Sequence, residues 1–94
     1  MVGVAIGVHV LRRGPSRAEV VHTTTLDGWT GRVIQRGPWS EENRAWTGPT
    51  TFDIELLSPD NGVRWIRTSI RDLDRAIGVT MDELHRAAAK QRRA

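Results

Sequence analysis

The chain of 94 residues contains no cysteine and no tyrosine, one phenylalanine and a single lysine, Lys90. Without cysteine it has no disulfide framework, no thiol nucleophile and no zinc site built on thiolates. No apolar run approaches the roughly 18 residues that a transmembrane helix needs. The apolar start of the chain also lacks the flanking pattern of a secretory signal. These absences predict a cytoplasmic protein that does not associate with a membrane.

The length predicts one small domain over 1–94, since a domain typically takes about 100–200 residues. A chain of this size buries a modest core, so its stability depends on compact folding or on association between copies. A homo-oligomer is therefore one of the arrangements that the length allows.

Charge is distributed unevenly, although the net formal charge is only +3. Segment 1–37 has five bases against two acids, and segment 62–94 has eight against four. Between them, segment 38–61 has one base against five acids. Two basic ends are typical of a weak polyanion-binding surface, and equally of a normally solvated one.

The first two thirds of the chain show the period-two alternation of β-strands. In the first strand, valine and isoleucine at even positions alternate with glycine, alanine and one histidine over 2–10. The signals Asp27-Gly28 and 58–62 (SPDNG) predict turns between later strands. We therefore expect an antiparallel sheet over 1–68, with strands at 2–10, about 17–26, 32–36, 51–57 and 63–68.

The hairpin of the last two strands has a preferred register, because one register places most apolar side chains on one face. It also places opposite charges across from each other. The expected pairs are Leu57–Val63, Glu55–Trp65, Ile54–Ile66 and Asp53–Arg67.

Segment 37–49 (GPWSEENRAWTGP) has no usable period and is bracketed by proline and glycine. We expect a long loop, and loops of this length are often functional or disordered. It carries Trp39 and Trp46, which we expect on a surface that binds a partner. Trp65, in a strand, is expected to contribute to folding instead.

The remainder of the chain is predicted to be helical over 70–92. Ser69 is a candidate N-cap for a first helix, and Gly78 is placed to end it in a left-handed conformation. The capping box of Thr80 and Glu83 then begins a second helix at about 81–92. The predicted fold class is therefore α+β, with an antiparallel β-sheet or a small barrel of about five strands followed by two C-terminal helices.

Residues 31–73 resemble a small SH3-like barrel, because a strand (GRVIQR), a variable loop and a hairpin are followed by a strand that runs into SIRDL. The resemblance covers roughly half of the chain and implies a barrel of about five strands. The sequence departs from the pattern at its end, where helices replace a last strand.

Residues 73–84 (LDRAIGVTMDEL) resemble a helix-turn-helix segment of the Cro/repressor type, within the helical region 70–92. Gly78, Val79 and Thr80 occupy the turn of that pattern. Asp74 stands where the family usually has a small residue, since its two helices cross there. The resemblance implies a second helix that reads DNA.

Catalysis is not expected. The three histidines lack a metal-binding spacing, and the chain has no glycine-rich phosphate loop. Asp53 and Glu55 share a strand face, as paired catalytic carboxylates do, but a cross-strand charge pair explains them more simply. We predict a protein that is not an enzyme, with no catalytic residue, no metal site and no cofactor.

Two functions remain. The first is a small nucleic-acid-binding, regulatory protein with an arginine-rich face that contacts phosphates. The second is a protein-interaction or assembly module of phage or plasmid type, which binds its partner through Trp39 and Trp46. Salt separates them, because phosphate binding weakens steeply as salt rises. The residues predicted to bind nucleic acid are Arg64, Arg67, Arg71, Arg75, Arg86, Lys90 and Arg93.

Overall fold

The computed structural model describes residues 16–93 of the chain. The strand predicted at 2–10 lies outside these residues. Five antiparallel strands and one helix make up the described part. In chain order they are β1 (Ser16–Leu26), β2 (Trp29–Ser40), β3 (Ala45–Trp46), β4 (Thr51–Leu57), β5 (Val63–Ile70) and α1 (Leu73–Arg93).

The strands form an open sheet in the order β1-β2-β4-β5, and the short β3 pairs with the far end of β2. The α+β class is confirmed. The predicted barrel is wrong, because β1 and β5 lie at opposite edges of the sheet and do not pair within residues 16–93. A barrel requires these outer strands to meet.

Both predicted turns are confirmed. Asp27 and Gly28 have φ angles of 51° and 85°, as a two-residue turn between twisted strands requires. In the turn from β4 to β5, Asn61 has a φ of 69° and donates its N–H to the carbonyl of Ser58 at 2.8 Å.

The segment 37–49, predicted as a loop, contains strand residues at 37–40 and 45–46. β2 continues to Ser40, a four-residue turn follows, and β3 returns along β2. The turn is closed by the Ser40 hydroxyl, which accepts the Asn43 N–H at 3.1 Å. Pro38 was one reason to predict a loop here, since proline is rare inside strands. In the structure its carbonyl accepts the Thr47 N–H at 2.9 Å. Proline lacks only the donor, so it is tolerated where the ladder needs only an acceptor.

The register of the hairpin β4–β5 is partly as expected. Leu57 pairs with Val63 and Glu55 with Trp65. The ladder then shifts, so that Ile54 pairs with Arg67 and Ile66 is left as the extra residue of a bulge. The pairs predicted for Ile54 and Asp53 are therefore wrong. Bulges add one residue to one strand and are not visible in simple alternation.

One helix replaces the two that were predicted. Gly78 lies inside α1 and has no positive φ, so it does not end a helix. Asp72, and not Ser69, caps the helix, since its carboxylate accepts the Arg75 N–H at 2.9 Å. At Thr80 the hydroxyl donates to the carbonyl of Ala76 at 2.8 Å, within the continuous helix. The helix-turn-helix resemblance is therefore wrong, because the helix continues through the expected turn.

The core lies between α1 and one face of the sheet. Val33, Ile54 and Ala76 are fully buried within it, and Phe52 and Ile70 extend the cluster. We call this side of the sheet the covered face.

Close approach of α1 to the covered face depends on Gly31. A Cβ at this position would lie 2.5 Å from Cγ2 of Thr80 and 3.2 Å from Cδ1 of Leu84. The helix contributes small residues to the contact, since Ala76, Thr80 and Ala88 are all buried beside Leu84.

Candidate nucleic-acid interface

The sheet face opposite α1 is not covered by the helix, and we call it the open face. Side chains alternate across a strand, so the neighbours of the buried Val33 on β2 point the other way. They are Arg32 and Ile34, followed two residues later by Arg36. Across the sheet, Arg32 pairs with Glu55 and Ile34 with Asp53, which places both acids on the same open face.

Two ion pairs cross the open face. Arg32 contacts Glu55 at 3.3 Å, and Arg36 donates from Nε to Asp53. The side chains of Arg32 and Arg36 are 40% and 46% exposed, whereas those of their partners Glu55 and Asp53 are 13% and 8% exposed. The face therefore presents its arginine side chains to solvent more than the carboxylates that pair with them. The predicted partner of Asp53, Arg67, is replaced by Arg36 because β4 lies between β2 and β5.

Trp65 is 51% exposed on the open face, opposite Glu55. The guanidinium of Arg36 lies 5.8 Å from the centroid of its ring, within the range of a cation–π contact. The expectation that Trp65 supports the core is wrong. Its strand face is the one that α1 leaves free, so the ring packs beside an arginine and not among apolar side chains.

Three predicted site residues meet at the junction of β5 and α1. Arg67, Arg71 and Arg75 line a cavity of about 390 Å³, which we call the arginine cleft. All three are exposed, and none has a carboxylate within 4.0 Å among residues 16–93. The remaining residues around the cavity are Thr68, Ser69, Ile70 and Asp72.

The carboxylate of Asp53 joins the open face to the arginine cleft. One of its oxygens accepts from Arg36, beside Trp65. The other accepts the backbone N–H of Ser69, a residue of the cleft, at 3.0 Å. Trp65 and Arg67 are separated by the bulge at Ile66, and Arg67 pairs with Ile54 of the covered face. The link from Trp65 to the cleft therefore runs through Arg36 and Asp53 and not through strand alternation. Arg36, Trp65 and the arginine cleft are thus neighbours, and we call them together the Arg–Trp surface.

The other predicted nucleic-acid residues lie apart from this surface. Arg64 is exposed and pairs with Leu56, a residue of the covered face. Arg86 forms an ion pair with Glu83 at 2.8 Å. Lys90 is exposed near the end of α1, roughly 22 Å along the helix from Arg75. Arg93 is the last residue of α1. The seven residues do not share one face.

Trp39 and Trp46, the residues predicted to bind a protein partner, lie in the β2–β3 hairpin at one end of the sheet. They pair across β2 and β3 with ring centroids 5.1 Å apart and an interplanar angle of 78°. Arg17 stacks on Trp39 at 4.3 Å from its centroid. Both indoles are half-buried, so they stabilise the end of this hairpin by packing on each other.

Sequence reasoning missed Arg36 and the linking role of Asp53. The strand predicted at 32–36 contains no motif that indicates a binding site, and the partner of Arg36 is 17 positions away in the sequence. Only strand order brings it beside Trp65. The exposure of Trp65 was signalled by its register opposite the charged Glu55, which the hairpin alternation did predict.

Comparison with known proteins identifies no relative, because no family model, curated protein or solved structure matches this chain. Over residues 16–93, no three histidine, aspartate or glutamate side chains are grouped closely enough to hold a metal ion. The single helix of that same range is too polar to span a membrane.

Proposed function

We propose that the protein binds nucleic acid, without catalysis, through the Arg–Trp surface. The observation that carries this proposal is the arginine cleft: three exposed guanidinium groups without carboxylate partners in the described chain, around one depression. Arginine suits phosphate because its planar fork of donors binds two oxygens at once. The adjacent Trp65 supplies a π surface for bases.

The charge of the open face favours the same ligand. Glu55 and Asp53 neutralise Arg32 and Arg36, but Asp53 is buried, Glu55 is half-buried, and both arginines are more exposed than their partners. A polyanion that approaches this face therefore contacts the guanidinium donors of Arg32 and Arg36 before it reaches the carboxylates. The two carboxylates hold those donors in place, which reduces the side-chain entropy lost on binding.

The alternative, a protein-interaction module, has one observation in its favour. A cavity of about 490 Å³ lies beside the hairpin end, with Pro38, Pro49 and Arg17 in its lining. Trp39 and Trp46 are packed against each other and are therefore less available as anchors than free indoles would be. We place this function second.

The test compares two triple variants that remove the same charge. Arg67, Arg71 and Arg75 are changed to Gln in the first, and Arg44, Arg86 and Lys90 in the second. All six side chains are exposed, so both proteins should fold as the parent does. Fluorescence anisotropy with labelled DNA and RNA, at about 50 and 200 mM salt, measures the affinities and their salt dependence.

We expect the cleft variant to lose binding and its salt slope to fall by about two, since each lost phosphate contact contributes roughly 0.7–0.9. The control variant should retain most of the affinity. Equal losses in both variants would mean that binding follows net charge and not the cleft. Absence of binding by the parent protein at low salt would overturn the proposal.

A further inference from the structure

Trp65 offers one side of its indole to a ligand. The guanidinium of Arg36 lies over the ring at 5.8 Å from the centroid, and half of the residue is still exposed. An exposed indole is a flat surface on which an unpaired base can stack. A base inside a duplex must first leave its own stack, which costs free energy.

The position of Trp65 allows the same strand of nucleic acid to reach the arginine cleft. Arg36 lies over the Trp65 ring, and its ion-pair partner Asp53 accepts the Ser69 N–H at the cleft. A nucleotide stacked on the indole therefore has the Arg36 guanidinium next to it, and its backbone can continue past Asp53 and Ser69 to the cleft. Stacking beside a basic groove is the arrangement that proteins use for single strands.

The Arg–Trp surface lacks the amide side chains that read adenine by two hydrogen bonds. Every asparagine and glutamine of the chain lies elsewhere. Gln35 donates to Thr50 and Gln91 accepts from Trp29, while Asn43 and Asn61 lie in turns. Stacking and phosphate contacts depend little on which base is present.

We infer that the Arg–Trp surface binds single-stranded DNA or RNA in preference to duplex, with little dependence on sequence. A base stacks on Trp65 while the arginine cleft contacts the backbone. This inference rests on the proposed function and specifies its ligand.

The experiment measures binding of labelled oligo(dT), oligo(U), a mixed-sequence DNA single strand and a blunt duplex, each about 16 nucleotides long. The variants are Trp65→Ala, Trp65→Phe and Val63→Ala. Val63 is the matched control, since it is an exposed apolar residue of the same strand without a ring. Far-UV circular dichroism and thermal melting verify that each variant is folded.

We expect the parent to bind the single strands at least about tenfold more tightly than the duplex. Trp65→Ala should lower single-strand affinity by about tenfold and duplex affinity less, whereas Trp65→Phe and Val63→Ala should stay near the parent. Similar affinities for the three single strands support sequence tolerance, and preference for oligo(U) over both DNA strands identifies RNA as the ligand.

Equal or tighter binding of the duplex overturns this inference and leaves the proposed function intact. Equal losses on single strand and duplex in Trp65→Ala also overturn it. If no probe binds at low salt, the proposed function itself fails. The ratio of single-strand to duplex affinity in the parent tests the inference even if Trp65→Ala does not fold.

Discussion

The two faces of the sheet are built from the same strands but are stabilised differently. On the covered face, Val33 and Ile54 are fully buried under α1. On the open face, Ile34 is 8% exposed although α1 packs on the opposite side of the sheet. Arg32 and Arg36, on either side of Ile34 on the same face of β2, form ion pairs with acids of the neighbouring strand β4. A sheet face can thus be shielded by the stems of charged side chains while their charged ends stay in water.

This difference separates stability from binding. On the covered face, the side chains of Val33, Ile54 and Leu84 are fully buried and cannot contact a ligand. The open face keeps its arginines and Trp65 exposed, so substitutions there should change affinity more than the free energy of unfolding.

The largest effect is expected for Leu84→Ala. Leu84 is fully buried in α1 and lies against Gly31, so its truncation leaves a cavity between helix and sheet. The free energy of unfolding, measured by urea denaturation, should fall by about 2–5 kcal/mol. Trp65→Ala on the open face should cost about 1 kcal/mol or less. A larger loss for Trp65→Ala than for Leu84→Ala would reverse our assignment of the two faces.

The next largest effect is expected for Gly31→Ala. The added Cβ would lie 2.5 Å from Cγ2 of Thr80, closer than carbon atoms pack, so α1 must move away from the sheet. Overpacking of this kind should destabilise the protein by about 1–3 kcal/mol. The double variant Gly31→Ala, Thr80→Ser removes the clashing methyl group, and thermal melting should show partial recovery. Full stability in the single variant would contradict the close contact.

A smaller effect of opposite sign is expected for Gly78→Ala. Gly78 is exposed inside α1, and a Cβ there would meet no atom within 4 Å. Alanine should therefore stabilise the protein by about 0.5–1 kcal/mol through its higher helix propensity. Chemical denaturation measures the change. Destabilisation would indicate that Gly78 ends a helix in a left-handed conformation, as the helix-turn-helix pattern required.

The smallest effect concerns the turn between β4 and β5, outside both faces. Hydrogen bonds from the Ser58 hydroxyl and from the Gly62 N–H hold the pKa of Asp60 below its ordinary value. Since the folded pKa is the lower one, the charged carboxylate stabilises the turn above the unfolded pKa. That stability is lost as the pH falls through the folded pKa.

Asp60→Asn tests this pH dependence. The variant should be slightly less stable than the parent near neutral pH, and the difference should shrink as the pH falls from about 5 to about 3. Denaturation curves of both proteins across that range give the comparison. A difference that does not change with pH would show that the carboxylate charge contributes nothing to the turn.

The sequence predicted the parts of the fold that depend on local pattern. Alternation identified the strands that became β1, β4 and β5, and Asp27-Gly28 identified a turn. The prediction failed where packing or strand pairing outweighed the local preference of a residue type. Gly78 has a helix-ending residue type, but continuous packing of Ala76, Thr80 and Leu84 against the sheet keeps the helix intact. Pro38 and Gly37 indicated a loop, yet the ladder with β1 extends through both.

By itself, the sequence determined that arginines at 67, 71 and 75 would lie close together. They fall within nine positions at the end of one strand and the start of a helix, so local geometry alone brings them to one junction. Only the tertiary structure decided which sheet face α1 covers, and therefore that Trp65 is exposed. Strand order placed β2 on the other side of β4 from β5, so Asp53 of the central strand binds both Arg36 and the Ser69 backbone. Contacts between residues far apart in sequence depend on this order, which alternation and turn signals do not encode.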